Sequence, residues 1–310
     1  MNLSEAFKTA AKQICAKLNL STSESKLEAQ LLLQHTLNVN RAWLIAHEHE
    51  NLPPNIHEAY RAVLQKRLNG EPIAYILGVR EFYGLKLKVT PDILIPRPDT
   101  ETLVEAALAK IPQNPLSPTT SFRRKSESSD VMTLDSDFRR NDELKILDLG
   151  TGTGAIALAI AKHRPLAQVI AIDVSENALK IAQENAQNLQ ITNVQFILSD
   201  WFSALKNQHF DLIVSNPPYI EANDAHLKQG DLRFEPLIAL ASGQDGLDDI
   251  RSIIQIAPQH LNPHGWLMLE HGYNQAESVA ALLKQAGFSN ISHAQDLAGI
   301  NRVTLGRLAS

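Results

Sequence analysis

The chain has 310 residues, of which 44% are hydrophobic and 20% are charged, a composition typical of a globular protein with room for a large and a small domain. Its formal net charge of −5 argues against a protein that grips nucleic acid over a wide surface, because neutralising phosphates requires clustered Lys and Arg. Cys15 is the only cysteine, which excludes an intrachain disulfide and a zinc site built from thiolates. The sequence shows neither a signal-type segment nor the roughly 18 consecutive apolar residues of a membrane span, so we expect a cytoplasmic protein with no membrane partner.

Residues 1–71 predict a small helical domain. Apolar residues recur every three or four positions from Leu3 to Leu18, which is the spacing of one buried helix face. The run from Ser21 to Glu24 has the pattern of a capping box that opens a second helix. Asn40 can cap a short third helix, and Ile56 to Leu68 is a further amphipathic stretch. A packing or dimerisation module and a substrate-docking module both fit this pattern.

Residues 72–96 predict a β-hairpin that links two domains. Ala74–Gly78 and Leu85–Val89 have β-type composition and are separated by glycines. Helix resumes from Thr100 to Lys110. Residues 112–144 are rich in proline, serine and charge and lack an apolar period, which predicts a disordered insertion. The rival interpretation of that segment is a basic docking arm that uses its arginines.

From Lys145 to the end, strand and helix patterns alternate, and we assign residues 97–310 to an α/β domain of the Rossmann-like type. Such alternation predicts a parallel sheet with helices on both faces, which binds ligands beyond the carboxyl ends of its strands. The predicted strands are Ile146–Leu149, Val169–Ile172, Val194–Leu198, Leu212–Val214, Gly265–Leu269 and edge strands from Ile291 onward. The predicted helices are Ala155–Lys162, Ala178–Leu189, Ile250–His260 and Ser278–Ala286.

A glycine-rich turn follows the first of these strands, and its residues are candidate cofactor contacts. Three glycines allow the backbone to turn tightly and to approach a ligand closely. The turn also satisfies a loose dinucleotide fingerprint, so by itself it fits a dehydrogenase as well as a methyltransferase. The candidate contacts are Gly150, Thr151, Gly152, Thr153 and Gly154.

Two further candidate cofactor contacts end the next two strands. Asp173 can accept hydrogen bonds from both hydroxyls of a ribose, a feature that NAD and S-adenosylmethionine share. Trp201 follows Asp200 at the end of the third strand, where its indole can cover an adenine ring. A tryptophan that only packs in the core is the alternative for Trp201.

The acceptor half of the site is predicted from the sequence Asn216-Pro217-Pro218-Tyr219, which directly follows an apolar strand. Prolines give a rigid turn without backbone donors, so the Asn216 side-chain oxygen and the Pro217 carbonyl can accept both hydrogens of a planar NH₂ group. Tyr219 can pack on the flat face of that group. We therefore expect Asn216, Pro217 and Tyr219 to be catalytic and all four residues to bind substrate. An ordinary proline-rich turn is the alternative.

Three other interpretations fit the sequence less well. An adenine amino methyltransferase that acts on DNA or RNA would use the same motif but would need a basic surface to hold phosphates. A scaffold that binds cofactor without catalysis would not need Asn216. The histidine pairs His47/His49 and His260/His264 are better explained as surface residues than as ligands, so no metal is expected.

With these residues in place, the chain resembles the class I methyltransferases that carry an (Asn/Asp)-Pro-Pro-(Tyr/Phe/Trp) motif, and among them the bacterial release factor glutamine methyltransferases, also called protein-(glutamine-N5) methyltransferases. Glu270-His271-Gly272 departs from the family in having His where an apolar residue is usual, and the 112–144 segment is longer than usual. The segments that carry the resemblance are Phe82–Leu85, Ile95–Glu101, Ile146–Gly154, Phe210–Ile220 and Leu297–Val303.

The resemblance implies a two-domain enzyme that takes its methyl group from S-adenosyl-L-methionine. It implies that the acceptor is the glutamine side chain in the Gly-Gly-Gln motif of peptide chain release factors, which would be the partner proteins, with no direct contact to nucleic acid. It also implies that Gly150 to Gly154, Asp173, Trp201 and Asn216 contact the methyl donor, while Asn216 to Tyr219 hold the glutamine.

Overall fold

The computed structural model describes residues 1–112 and 144–309. The chain forms two compact units. The helical unit comprises Met1–Arg80, Val89–Pro91 and Ala225–Pro236, and the sheet unit comprises Glu81–Lys88, Asp92–Asp224 and Leu237–Ser310. The predicted insertion at 112–144 lies, from 113 to 143, outside the described residues.

Capped amphipathic helices build the helical unit. In helix α2 the Ser21 hydroxyl accepts from the Glu24 amide at 3.2 Å and the Glu24 carboxylate accepts from the Ser21 amide at 2.9 Å, which confirms the predicted capping box. The Asn40 side chain caps α3, as predicted. Leu3, Ile14 and other apolar residues of the helices form one buried cluster. The helices are α1 (Leu3–Leu18), α2 (Thr22–Leu37), α3 (Arg41–Ala46), α4 (Pro54–Leu68) and α5 (Ile73–Leu77).

The prediction of a strand at Ala74–Gly78 is wrong, because this segment forms helix α5. Pro72 precedes the first helical residue with a φ angle that suits a helix start. Gly78 ends the helix in the left-handed region, at φ 68°. The apolar side chains that suggested a strand are instead buried on the helix, so tertiary burial overrides β propensity here. The hairpin is formed by β1 (Val79–Phe82) and β2 (Leu85–Lys88).

A buried arginine holds the helical unit together. The Arg67 guanidinium donates to both oxygens of Glu28, at 2.7 and 3.0 Å, and to the carbonyl of Glu71 at 3.0 Å. It also pairs with Asp231 at 3.3 Å. Asp231 belongs to the segment 225–236, which is distant in sequence, so this one side chain joins that segment to helices α2 and α4.

The sheet unit contains a seven-stranded mixed sheet among its described residues, in the order β5-β4-β3-β6-β7-β9-β8. Strands β3 to β7 pair in parallel, and buried apolar clusters cover both faces, which confirms the predicted α/β fold. The strands are β3 (Lys145–Leu149), β4 (Gln168–Asp173), β5 (Val194–Leu198), β6 (Phe210–Ser215), β7 (Leu261–Glu270), β8 (Phe288–Gln295) and β9 (Asn301–Leu308). The helices are α6 (Glu101–Lys110), α7 (Ala155–His163), α8 (Glu176–Asn188), α9 (Asp248–Ile256) and α10 (Ala276–Gln285).

The last two strands differ from the prediction. Both were expected at the edge, but β9 lies between β7 and β8 and pairs antiparallel with each. Val303 and Leu305 of β9 are buried as in an inner strand. The chain reverses between Asp296 and Ile300, where a backbone hydrogen bond closes the turn. Sequence periodicity identifies the strands but does not determine their order. None of the helices in the two described stretches has the length and apolar character needed to cross a membrane.

Replacing Arg67 with alanine is expected to destabilise the protein. The change would leave the largely buried Glu28 carboxylate without its partner, and losing one member of a buried ion pair costs about 3 kcal/mol. The free energy of unfolding, measured by urea titration with circular dichroism, tests this. The control is Arg61→Ala on the exposed face of the same helix, which we expect to change stability by less than about 0.5 kcal/mol. Equal stability of the two variants would contradict the role of Arg67.

Candidate active site

The glycine-rich turn between β3 and α7 is held by a buried carboxyl. Asp148 is fully buried, and one of its oxygens accepts from the Thr151 hydroxyl at 2.6 Å and from the Ala157 amide at 3.2 Å. Burial raises the pKa of Asp148 to about 7, against which the Thr151 hydroxyl and the Ala157 amide favour the charged form. Asp148 thereby joins the strand end, the turn and the first turn of the helix.

Two glycines of this turn meet different requirements. Gly154 has φ 82°, and an added Cβ would lie 3.0 Å from Leu158 and 3.2 Å from Ala182, so close packing of the helix start requires glycine. Gly152 has φ 56° and no atom within 4 Å of such a Cβ. Its surroundings are therefore open, which is the condition for a ligand to approach the backbone closely.

Asp173 and the glycine-rich turn meet at the edge of the sheet. One oxygen of Asp173 accepts from the Gly152 amide at 2.9 Å, and the other accepts from the Ser175 amide at 2.9 Å. Burial raises the pKa of Asp173, although these backbone donors favour its charged form. Each carboxylate oxygen has more than one lone pair, so Asp173 keeps capacity to accept from a ligand. The structure thus brings together Asp173 and Gly152, two residues that the sequence predicts for the site.

Trp201 also lies at this edge, beside the turn. Its backbone is in the left-handed region at φ 42°, and its carbonyl accepts from the Ser199 hydroxyl at 2.6 Å. The indole ring lies 3.7 Å from where a Cβ on Gly150 would stand. The ring is half-buried, so one part packs on the core and another part is accessible beside Gly150.

The predicted acceptor turn follows β6. The Asn216 side-chain nitrogen donates to the Thr100 hydroxyl at 3.2 Å. Its side-chain oxygen is buried and has no hydrogen-bond partner among the described residues. The Tyr219 carbonyl accepts from Gln275 at 3.0 Å, and a Cβ on Gly246 would come within 2.2 Å of that carbonyl. Pro217 is buried and Pro218 half-buried, so the turn is fixed from several sides.

The structure adds two residues that the sequence did not assign to the site. The Tyr219 hydroxyl donates to Glu270 at 3.3 Å, and Thr100 also hydrogen-bonds to Glu270. Glu270 is fully buried at the end of β7, and burial raises its pKa to about 7. The available signals were an acid directly after an apolar strand and a threonine inside the Ile95–Glu101 segment. Neither signal identifies the partner.

The other polar clusters have structural roles. The His47 ring stacks on Trp43, and His260 stacks on Phe202. Over residues 1–112 and 144–309, no group of three or more His, Cys, Asp or Glu side chains could hold a metal ion. Asp248 and Asp249 lie in the first turn of α9, where acidic side chains favour the positive end of the helix dipole.

The chain matches known methyltransferases over most of its length. Two family profiles match, described as a methyltransferase domain over residues 140–300 and as the PrmC N-terminal domain over residues 9–78. The release factor glutamine methyltransferase of Escherichia coli (strain K12) is 44% identical over 289 residues, which cover 93% of this chain and 94% of that protein. The protein of the same name from Coxiella burnetii is 42% identical and covers 97% of this chain and 99% of its own.

A solved structure is also similar. It is the protein-(glutamine-N5) methyltransferase (release factor-specific) of Alicyclobacillus acidocaldarius, which is 27% identical with a TM-score of 0.40. The alignment covers 72% of this chain and 100% of that one.

Replacing Asp148 with asparagine is expected to flatten the pH dependence of stability. The folded pKa of Asp148 is about 7, whereas an unfolded aspartate has a pKa of about 3.9. The native state therefore keeps a proton that the unfolded chain releases, so wild-type stability falls as pH rises from about 4 to about 7. Between about pH 4.5 and 7.5, the unfolding free energy of Asp148→Asn should fall by roughly 3 kcal/mol less than that of wild type.

Urea titrations at the two pH values measure this difference. Glu270 contributes with the same sign, but it is present in both proteins and cancels in the comparison. The control is Asp200→Asn, which changes an exposed carboxyl and should leave the wild-type pH dependence in place. The same slope for Asp148→Asn and wild type would refute the burial effect.

Proposed function

The chain belongs to the release factor glutamine methyltransferases, and we propose that it transfers a methyl group from S-adenosyl-L-methionine to the side-chain amide nitrogen of the glutamine in the Gly-Gly-Gln motif of peptide chain release factors. The observation that carries the proposal is the Asn216 side-chain oxygen, which is buried and has no partner among the described residues. A buried acceptor without a donor costs free energy. A substrate NH₂ group would supply the donor.

The acceptor turn suits the chemistry of an amide. An amide nitrogen is a poor nucleophile because its lone pair is delocalised into the carbonyl. Acceptors at the Asn216 side chain and the Pro217 carbonyl would hold both hydrogens, orient the nitrogen and favour its loss of planarity. As methyl transfer proceeds the nitrogen becomes cationic, so both acceptors bind the transition state more strongly than the ground state. Tyr219 would pack on the flat face of the amide.

The glycine-rich edge suits the methyl donor. The turn from Gly150 to Gly154 is open at Gly152, where no atom lies within 4 Å of an added Cβ. Asp173 has acceptor capacity for the two ribose hydroxyls. Trp201 lies beside Gly150, where its ring can cover the adenine. The sulfonium of the donor supplies an electrophilic methyl and its own leaving group, so no covalent enzyme intermediate is needed.

Replacing Asn216 with alanine is expected to lower kcat by about 100-fold, since it removes an acceptor that interacts most strongly in the transition state. Transfer of labelled methyl groups to a release factor measures this. The control is Asn188→Ala at the exposed end of α8, which should keep wild-type turnover. A fully active Asn216→Ala enzyme would show that the turn does not hold the acceptor.

The same assay tests the substrate. We expect label in the wild-type release factor and none above background in a release factor whose Gly-Gly-Gln glutamine is replaced by alanine. Duplex DNA serves as the third substrate because adenine also presents a planar NH₂ group. Label in DNA, or equal label in the glutamine-to-alanine factor, would replace the proposal with another acceptor.

Replacing Asp173 with asparagine is expected to weaken binding of S-adenosylmethionine at least about tenfold, because hydrogen bonds to a charged acceptor contribute roughly 1.5–3 kcal/mol. Asparagine keeps one acceptor oxygen for the turn but loses the charge. Isothermal titration calorimetry measures the affinity. Glu176→Gln, an exposed carboxylate three residues further on, is the control and should bind as wild type does. Unchanged affinity in Asp173→Asn would remove Asp173 from the cofactor site.

A further inference from the structure

Four side chains from three separate segments of the sequence form one hydrogen-bonded chain beneath the acceptor turn. Asn216 donates to Thr100 at 3.2 Å, Thr100 hydrogen-bonds to Glu270, and Glu270 accepts from the Tyr219 hydroxyl at 3.3 Å. Thr100 and Glu270 are both buried. The chain begins and ends on the motif that would hold the substrate, while its two middle members lie outside that motif.

The direction of each hydrogen bond follows from the donor inventory of these groups. An ionised carboxylate only accepts, so Thr100 must donate its single hydroxyl hydrogen to Glu270. Toward Asn216 the hydroxyl oxygen can then only accept, and the Asn216 group that faces it must be the NH₂. The Asn216 oxygen is thereby turned away from Thr100 and becomes the buried atom without a partner. An asparagine amide turned the other way would present hydrogens to a substrate NH₂ group and repel it.

We infer that Thr100 and Glu270 are a positioning pair that sets which atom of the Asn216 amide faces the acceptor nitrogen. This inference rests on the proposed function, because it assigns a purpose to the same acceptor turn. Thr100 acts on Asn216 directly, and Glu270 acts through Thr100. Glu270 also fixes the Tyr219 ring through its hydroxyl, so the pair sets both side chains that would contact the amide.

The pair also predicts how the reaction responds to pH. A protonated Glu270 can donate to Thr100, which is then free to donate to the Asn216 oxygen and to reverse the amide. The pKa of Glu270 is about 7, so turnover should rise with pH through that region. Burial of Tyr219 raises the pKa of its hydroxyl, which therefore remains a donor throughout.

The charges around Glu270 come from several elements. Asp99, in the turn before α6, raises the pKa of the Glu270 carboxyl, and Arg302 of β9 lowers it. Arg302 is paired with Asp99 at 3.0 Å and with Asp296 at 2.9 Å. The strand next to β7 on its other side is β6, which ends at Ser215. The Ser215 hydroxyl is neutral and donates to the Leu149 carbonyl. The carboxyl thus faces charges of both signs, and burial is the main cause of its raised pKa.

Kinetic comparison of Thr100→Val with Thr100→Ser tests the inference. Valine has the shape of threonine but cannot accept from Asn216, so we expect kcat with the release factor to fall by about 100-fold while affinity for S-adenosylmethionine stays within about threefold of wild type. Serine keeps the hydroxyl and should retain turnover within about fivefold of wild type. The matched control is Thr304→Val, a buried threonine hydrogen-bonded to His271 and His293, which removes a hydroxyl of the same kind without touching Asn216.

Glu270→Gln provides a second measurement that a purely structural role would not affect. Glutamine does not titrate and can donate to Thr100, so turnover should be lower and its decrease below about pH 7 should disappear. The wild-type and Thr304→Val enzymes should both keep that decrease. Thermal unfolding of every variant shows which of them are folded, and Thr100→Ser and Glu270→Gln decide the outcome if Thr100→Val does not fold.

The possible outcomes separate the two proposals. An inactive wild type overturns the proposed function itself. If the wild type is active, three results would each overturn the positioning role and leave the proposed function standing. The first is a wild-type kcat in Thr100→Val, and the second is equal loss of kcat in Thr100→Ser and Thr100→Val. The third is a Glu270→Gln enzyme whose turnover still decreases below about pH 7.

Discussion

In the central sheet Leu149 pairs with Ile172 on one side and with Ser215 on the other, so three neighbouring strands end at one level. Because the pairing is parallel, each of these strands leads into a turn at the same edge. The glycine-rich turn, Asp173 and Asn216 stand together for that reason. A shift of one strand by one residue would turn its side chains to the opposite face, so the candidate site depends on register before it depends on any single side chain.

Each half of this sheet edge contains one buried carboxyl, and the two carboxyls have different kinds of hydrogen-bond donors. Asp148 and Glu270 are both fully buried, and the pKa of each is raised to about 7. In each carboxyl one oxygen accepts from nearby donors, while the other is buried without a hydrogen-bond partner among the described residues. For Asp148 the donors are Thr151 and a backbone amide of α7, so the carboxyl fixes a turn of main chain. For Glu270 the donors are side chains, so the carboxyl fixes their orientation. The glycine-rich turn, which is the proposed cofactor half, thereby gains a rigid backbone, and the proposed acceptor half gains a set direction of hydrogen bonding.

The sequence predicts those parts of the site that are local in the chain. Apolar strands followed at once by Gly150, Asp173 or Asn216 place each residue at a strand end, and topology then brings them to one edge. Thr100 and Glu270 could not be assigned in this way, since they contact the acceptor turn across 116 and 51 residues of sequence. A threonine before a helix and an acid after a strand are common, and only the folded arrangement shows what they bind.

The errors in the predicted fold have the same origin. The segment that forms α5 has strand composition, and the burial of its side chains on a helix depends on neighbours that the local pattern does not contain. The inner position of β9 depends on pairing with β7, about 35 residues earlier in the chain, which periodicity alone does not encode. Local signals such as the Ser21 capping box were reliable because all of their partners lie within one turn of helix.

The acceptor turn as proposed would select a kind of nitrogen and would not select a protein. An amide and an adenine amine both present two hydrogens in one plane, so two acceptor oxygens hold either of them equally well. Family membership identifies the glutamine, and selection among NH₂ groups must come from surfaces outside the turn. The chain passes from Tyr219 into the helical unit at Ala225, where Arg67 holds Asp231. Only a few residues separate these points, so the chain that would hold the glutamine continues directly into segment 225–236 of the helical unit.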